Sequence, residues 1–234
     1  MTDSNNRFFA SHFLIPLLTL AVLSIAIDIA DIDRLMADYF YAIQGNSWAW
    51  KDSWLTEVFF HKGGRSASII LALISLVLLG LSFFNLTLAA HKKPLLYLFL
   101  ATAGSSLLIG FLKSSLAISC PWEFDRYGGQ LGYSSVVEQL LIRNGAGCFP
   151  AGHASAGYAW ISSYFFGLYY QSRWRWVGLG ASMIAGAVFG FVQQIRGAHF
   201  ISHDLWTLAI CWFFSLALFL FFFKEKSKNR STWN

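Results

Sequence analysis

His199-Phe200-Ile201-Ser202-His203-Asp204 runs directly into residues 205–223, LWTLAICWFFSLALFLFFF, a stretch without one charged side chain. Crossing the hydrocarbon of a bilayer takes ~20 predominantly apolar residues in a helix, within a range of ~17–25. The stretch meets that requirement and carries two histidines and an aspartate on its leading edge. Working back along the chain, residues 13–32, 67–88, 95–112, 154–170 and 176–192 are also apolar enough to span, the last two near the short limit. No linker separates them. The sequence therefore predicts an all-α integral membrane bundle of six transmembrane helices, a single domain over 1–234.

Composition agrees with this reading. The chain is 56% hydrophobic and 12% charged, with a mean hydropathy of +0.51, whereas soluble domains carry roughly 25% charged residues. The net charge of +5 comes largely from short clusters at Lys92-Lys93, Arg173/Arg175 and Lys224 to Arg230. Such clusters anchor cytoplasmic ends of spans. No basic stripe interleaves with exposed aromatics, so nucleic acid is not an expected partner; membrane lipids are. With six spans both termini share one side, and the basic loops assign that side to the cytoplasm. Asp28, Asp31 and Asp33 interrupt the region where a cleavage site would lie, so the first span is expected to be an uncleaved helix. Residues 35–62 mix Trp48, Trp50, Trp54, Phe59 and Phe60 with polar residues and read as an interfacial segment.

The longest non-spanning stretch, 113–152, falls on the non-cytoplasmic side and turns often at Gly128-Gly129, Gly132 and Gly145-Ala146-Gly147. It holds Cys120 and Cys148. An oxidising compartment allows these to pair, tying Lys113 to the Gly-His element; two free thiols is the other reading. Cys211 lies inside the last span and reads as a packed small hydrophobe.

Three polar elements at span ends suit a phosphate ester. Fixed positive charge is available from Lys113 and Arg196, the one a point charge and the other a planar fork. Backbone donors are available at Ala151-Gly152-His153, should this stretch open a helix, because helix N-termini favour anions. His153 and His199 can divide the roles of general acid and nucleophile. An attacking imidazole needs its second nitrogen held, by His203 or by Asp204. Ionisable groups clustered at the ends of adjacent spans indicate function. No carboxylate pair or Cys/His set has metal-ligand spacing, so neither metal nor cofactor is expected.

From Lys113 to Asp204 the sequence resembles the type 2 phosphatidic acid phosphatase (PAP2) superfamily, whose pattern is Lys-x6-Arg-Pro, then Pro-Ser-Gly-His, then Ser-Arg-x5-His-x3-Asp. Lys113 and Pro121 fit the first part, with Cys120 at the arginine position. Pro150, Gly152 and His153 fit the second, with Ala151 replacing serine. His199 fits the third, while its arginine position falls on Gln193 and its aspartate position on His203. Arg196, three residues beyond Gln193, shares its helix face and lies ~4.5 Å along the axis, within reach of the same phosphate. Arg126 or Arg143 are the candidates to replace the arginine missing at Cys120. The resemblance places the catalytic core at about 95–223. It implies a bacterial inner-membrane lipid phosphatase with a periplasmic active site. His199 would form a phosphohistidine, and His153 would protonate the leaving oxygen and then activate water. The expected partner is a lipid phosphate substrate: a polyprenyl diphosphate, phosphatidylglycerol phosphate, phosphatidic acid or a lipid A phosphate. A lipid phosphotransferase using the same intermediate, and a non-catalytic phosphate-lipid binder, are the alternatives.

Overall fold

The computed structural model describes residues 2–143 and 145–228, with side chains described for 5–143 and 145–223; the basic tail from Lys224 to Arg230 lies outside the latter. Among the described residues the regular structure is helical, apart from an isolated bridge between Phe124 and Leu131. The main elements are α1 (Asn5–Ile29), α2 (Ile32–Ile43), α3 (Trp54–Leu81), α4 (Lys92–Leu116), α5 (Val136–Ile142), α6 (a broken run, 155–169), α7 (Trp174–Ile195) and α8 (Ile201–Lys228).

Five described helices are long and apolar enough to cross a membrane: α1, α3, α4, α7 and α8. The expected fourth span, 154–170, is not among them. It forms as Ser155–Tyr158, a 3-10 turn at Ala159–Ile161, and Ser162–Tyr169. At ~1.5 Å per residue this run covers ~22 Å, short of a hydrocarbon core of ~30 Å. Its side chains explain the difference. Tyr158, Ala159, Ile161, Tyr164, Phe165 and Leu168 are all buried among the other helices, so α6 is coated by protein along much of its length. The expected interfacial segment 35–62 also resolves differently. Part of it completes α2, and 54–63 winds as a π-helix continuous with the apolar part of α3. Only the connection between the two is left without a long helix.

The core lies where α4, α6 and α8 meet. Tyr97, Ala101 and Ile109 pack there with Ile161, Phe165, Cys211 and Phe219. Two polar groups inside it find partners, as burial favours: Tyr97 Oη donates to the Ser215 carbonyl at 3.1 Å, and the Thr102 and Ser162 hydroxyls meet at 2.6 Å. Small residues let α6 and α7 touch backbone to backbone. A Cβ on Gly157 would fall 2.1 Å from the Gly186 nitrogen, a close approach of the kind that replaces hydrophobic driving force inside a bilayer. Leu18, Val22, Ile25 and Ile29 of α1 remain exposed, as a face toward lipid demands.

The helix ends alternate between two faces. One face gathers the ends of α1, α4 and α7 with the starts of α3, α6 and α8. There Asp33 binds Ser202, Gln44 reaches the Ile195 carbonyl and Arg196 meets Glu57. On the opposite face His91 bonds Tyr170 at 2.6 Å, while the Lys92 ammonium sits 4.2 Å from the Phe83 ring centroid.

Candidate active site

His199 lies in the turn between α7 and α8, and the turn depends on one glycine. Gly197 has φ +72°, and a Cβ there would fall 2.4 Å from the Trp48 ring, so a larger residue is excluded twice over. The carboxylate of Asp33, just inside α2, takes the amide of Ser202 at 3.0 Å and its hydroxyl at 2.5 Å. It thereby anchors the first turn of α8, next to His199.

The imidazole of His199 is buried, and its Nδ1 stands 3.4 Å from Nδ1 of His203, one helical turn on. His203 is held in place from several sides. Phe149 packs edge-on against its ring at 5.3 Å, its carbonyl accepts from the Ala151 amide at 3.4 Å, and Thr207 Oγ1 donates to the same carbonyl at 2.8 Å. Asp204, the alternative partner for His199, points elsewhere. It accepts from Gln194 Nε2 and packs so closely against α7 that a Cβ on Gly190 would fall 2.5 Å from its carboxylate. The roughly 100° step between successive helical residues separates the two side chains.

The Gly-His element sits on this platform. Ser155 Oγ donates to the Gly152 carbonyl at 2.6 Å and the Ala156 amide to the His153 carbonyl at 3.0 Å, shaping the entrance to α6. The Ala151 amide, expected as a phosphate donor, is engaged by His203. Gly152 and His153 are the amides of this element that remain for a ligand. Lys113, in the last turn of α4, lies across Gly152, its Nζ 4.0 Å from where a glycine Cβ would project.

Arg196 reaches the same pocket. Its Nε donates to the Lys51 carbonyl at 2.6 Å, its Nη1 to Gln193 Oε1 at 3.1 Å, and its Nη2 to Glu57. Gln193, which the resemblance sets at the arginine position, thus accepts a hydrogen bond from Arg196. Two residues expected near phosphate are placed away from it. Arg126 is engaged by Asp38 through two 2.6 Å hydrogen bonds on the exposed surface. Arg143 turns back to the Leu140 carbonyl at 2.9 Å.

Sequence reasoning missed Glu57, His61 and Arg65, which enter from the start of α3. The His61 ring lies on His153 with centroids 3.7 Å apart and planes tilted by 33°. Glu57 Oε2 is 3.3 Å from His61 Nδ1. The signal was present: Glu57, His61 and Arg65 recur every fourth residue, hence on one helix face, ahead of an apolar run.

Burial lowers the pKa of His153 to about 3, helped by the neighbouring groups His61, Lys113, Arg196 and Arg65. Burial likewise holds His199 well below an ordinary histidine, with His203, Lys113 and His153 adding to the effect. Burial thus favours the neutral form of both rings. For His199 that is the state a nucleophile needs.

Cys120 and Cys148 are joined, with Cα atoms 5.2 Å apart. The bridge binds the segment after Lys113 to the residue before Phe149, which packs on His203. The Cys148 amide reinforces it by donating to the Ile118 carbonyl at 2.6 Å. A crosslink over a sequence separation of 28 stabilises a fold by about 3–4 kcal/mol through the entropy of the unfolded chain. Replacing both cysteines by serine is expected to lower the unfolding midpoint in detergent accordingly, and to reduce turnover as Lys113 and the Gly-His element lose their tether.

Comparison with known proteins places these residues inside one family. A family model described as the PAP2 superfamily matches residues 94–227, taking in Lys113, His153, Arg196, His199 and His203. No curated protein and no solved structure matches the chain.

Proposed function

The chain belongs to the PAP2 superfamily, and from that premise we propose that it is a membrane lipid phosphatase working through a phosphohistidine at His199. The observation that carries the reading is the convergence of His199, His153, Lys113 and Arg196 at one face of the helix bundle, with His199 buried, neutral and held at Nδ1. If His199 Nδ1 carries the proton and gives it to His203, the lone pair of His199 Nε2 is free to attack. The opposite tautomer would leave no nucleophile, so the reading requires His203 Nδ1 to accept in this contact.

In the first step His199 Nε2 bonds phosphorus, the bond to the leaving oxygen breaks, and His153 delivers a proton to that oxygen. In the second, water attacks phosphorus, gives a proton to His153, and the P–N bond breaks. His153 must therefore be protonated at the start. The negative charge of the bound phosphate supplies the condition: it opposes the positive neighbours that depress His153 and offsets part of the cost of burying a cation. Lys113, Arg196 and the amides of Gly152 and His153 supply fixed positive charge for the equatorial oxygens, the preorganised kind that contributes most to such reactions. No metal is required in this scheme.

An amphiphilic substrate suits the surroundings. A groove of about 410 Å³ runs beside the site, lined by Leu112, Val137, Leu140, Phe149, Trp206 and Ile210. Lys92, Lys93, Arg173 and Arg175 lie at the opposite face, which the positive-inside rule assigns to the cytoplasm. With α6 counted as a sixth traversal, both termini are cytoplasmic and the site faces the periplasm of a bacterial inner membrane. The Cys120–Cys148 bridge fits that compartment.

The test is phosphate release by the purified protein, with chelator present, across phosphatidic acid, phosphatidylglycerol phosphate, a polyprenyl diphosphate and a lipid A phosphate. Release from one or more supports the proposal and names the substrate. Conversion of a lipid phosphate without free phosphate would indicate transfer to a second lipid. Binding without conversion of any would overturn the enzymatic reading.

A further inference from the structure

Arg65 is a cation beside the site to which the chemistry just described gives no task. It follows His61 by four residues on α3, one helical turn. Two contacts with α6 bracket it on that face: the His61 ring lies on His153 with centroids 3.7 Å apart, and Trp160 Nε1 donates to Ser68 Oγ at 3.0 Å. Its charge reaches His153. The side chain is exposed, and among the described residues no ion pair or hydrogen bond engages its guanidinium. The carboxylate on the same face, Glu57, is taken by Arg196 and by Lys62, the latter at 3.3 Å. An arginine on an apolar spanning helix is costly unless an anion or water meets it.

The course of the reaction indicates where that anion comes from. Attacking and leaving atoms lie roughly in line through phosphorus. With His199 attacking and His153 serving the leaving oxygen, the departing group lies on the His153 side, toward α3 and Arg65. An alkoxide departing there becomes a neutral alcohol once His153 gives its proton. It has no use for a further cation, and arginine cannot act as a second acid because it stays charged. A departing phosphate remains anionic even after protonation and matches the guanidinium fork.

We propose that Arg65 is a specificity-determining residue that binds the phosphoryl group of the departing product, so that the favoured substrate is a lipid diphosphate cleaved between its two phosphorus atoms. His199 Nε2 bonds the terminal phosphorus. The bridging P–O bond breaks with its electron pair on the oxygen that stays with the lipid monophosphate, and that oxygen takes the proton of His153. Water then attacks the phosphohistidine, returns a proton to His153 and releases inorganic phosphate as the P–N bond breaks. Lys113 and Arg196 hold the phosphoryl group being transferred, while Arg65 holds the one that departs as its charge grows. Each phosphate thus has its own cation. The inference rests on the phosphatase reading and selects among the substrates named there.

The test compares farnesyl diphosphate with farnesyl monophosphate, which share one tail, for wild type, Arg65→Gln and Arg65→Lys. Folding of each is checked by thermal unfolding in detergent, and kcat/KM is read for each substrate. Arg65→Gln is expected to lose ~10–100-fold on the diphosphate, the scale of a hydrogen bond between charged groups, and less than ~3-fold on the monophosphate. Arg65→Lys keeps the charge without the fork and should lose ~3–10-fold on the diphosphate alone; it carries the test if the glutamine variant does not fold. Where monophosphate turnover falls below detection, phenyl phosphate takes its place. Equal losses on both substrates, or no loss on either, would make Arg65 a general source of positive field or a bilayer anchor and overturn the inference. A wild type that cleaves the monophosphate alone would overturn it too. If wild type releases phosphate from neither probe nor from the lipid phosphates above, the phosphatase reading itself fails. Activity with an unchanged diphosphate preference in the variants sinks only the role of Arg65.

Discussion

Replacing His199 by alanine is expected to reduce phosphate release by a factor on the order of 10⁴ or more, leaving the protein folded and able to bind lipid phosphate. The size follows from the role. Removing the nucleophile of a covalent mechanism deletes the first step outright, and such losses reach roughly 10⁶ in other enzymes. Folding should survive because Asp33 anchors α8 through Ser202, and Gly197 makes the turn, without help from the imidazole. A rapid quench with labelled substrate sharpens the measurement. Wild type should carry label on a histidine, stable in alkali and lost in acid as expected for a P–N bond. His199→Ala should carry none. Label retained at another residue would move the nucleophile elsewhere in the cluster, with His153 the nearest alternative.

Replacing His153 by glutamine is expected to lower turnover of a lipid phosphate by roughly 10²–10⁴, the usual contribution of a positioned general acid. Glutamine keeps a polar side chain over Lys113 and against His61, so the loss reads the proton and not the shape. The decisive feature is its dependence on the leaving group. An aliphatic alkoxide needs a proton as its bond to phosphorus breaks, whereas an acidic phenol does not. With an aryl phosphate the defect in the bond-breaking step should shrink to about tenfold or less. An equal loss for both substrates would mean that His153 binds phosphate without donating a proton.

The site was partly legible in the sequence. Lys113, Gly152, His153, Arg196 and His199 stand out because each is a polar residue at the end of an apolar run, where the bilayer makes such residues costly without a purpose. His203 was one of two choices for holding His199, and periodicity alone could not separate it from Asp204. Arg126 and Arg143 looked equally able to replace the missing arginine, because a loop sequence carries no direction. In the structure Asp38 engages one and the Leu140 carbonyl the other. Instead, His61 and Arg65 come to the His153 neighbourhood from α3, a segment whose tryptophans suggest only a bilayer anchor.

The sequence by itself determined that the chain is a helical membrane protein and which polar residues stand at its span ends as candidates for phosphate chemistry. Run length, charge content and motif spacing are properties of the chain in one dimension, and the bilayer converts them directly into spans and span ends. The tertiary structure decided how those ends meet. It set Glu57 against Arg196, 139 positions further along, stacked His61 on His153, and buried much of α6, the run expected as the fourth span, among the other helices. Contacts of this kind depend on which helix faces which. That is settled by packing, by close approaches such as Gly157 on Gly186, and by the low dielectric that forces buried charges to find each other.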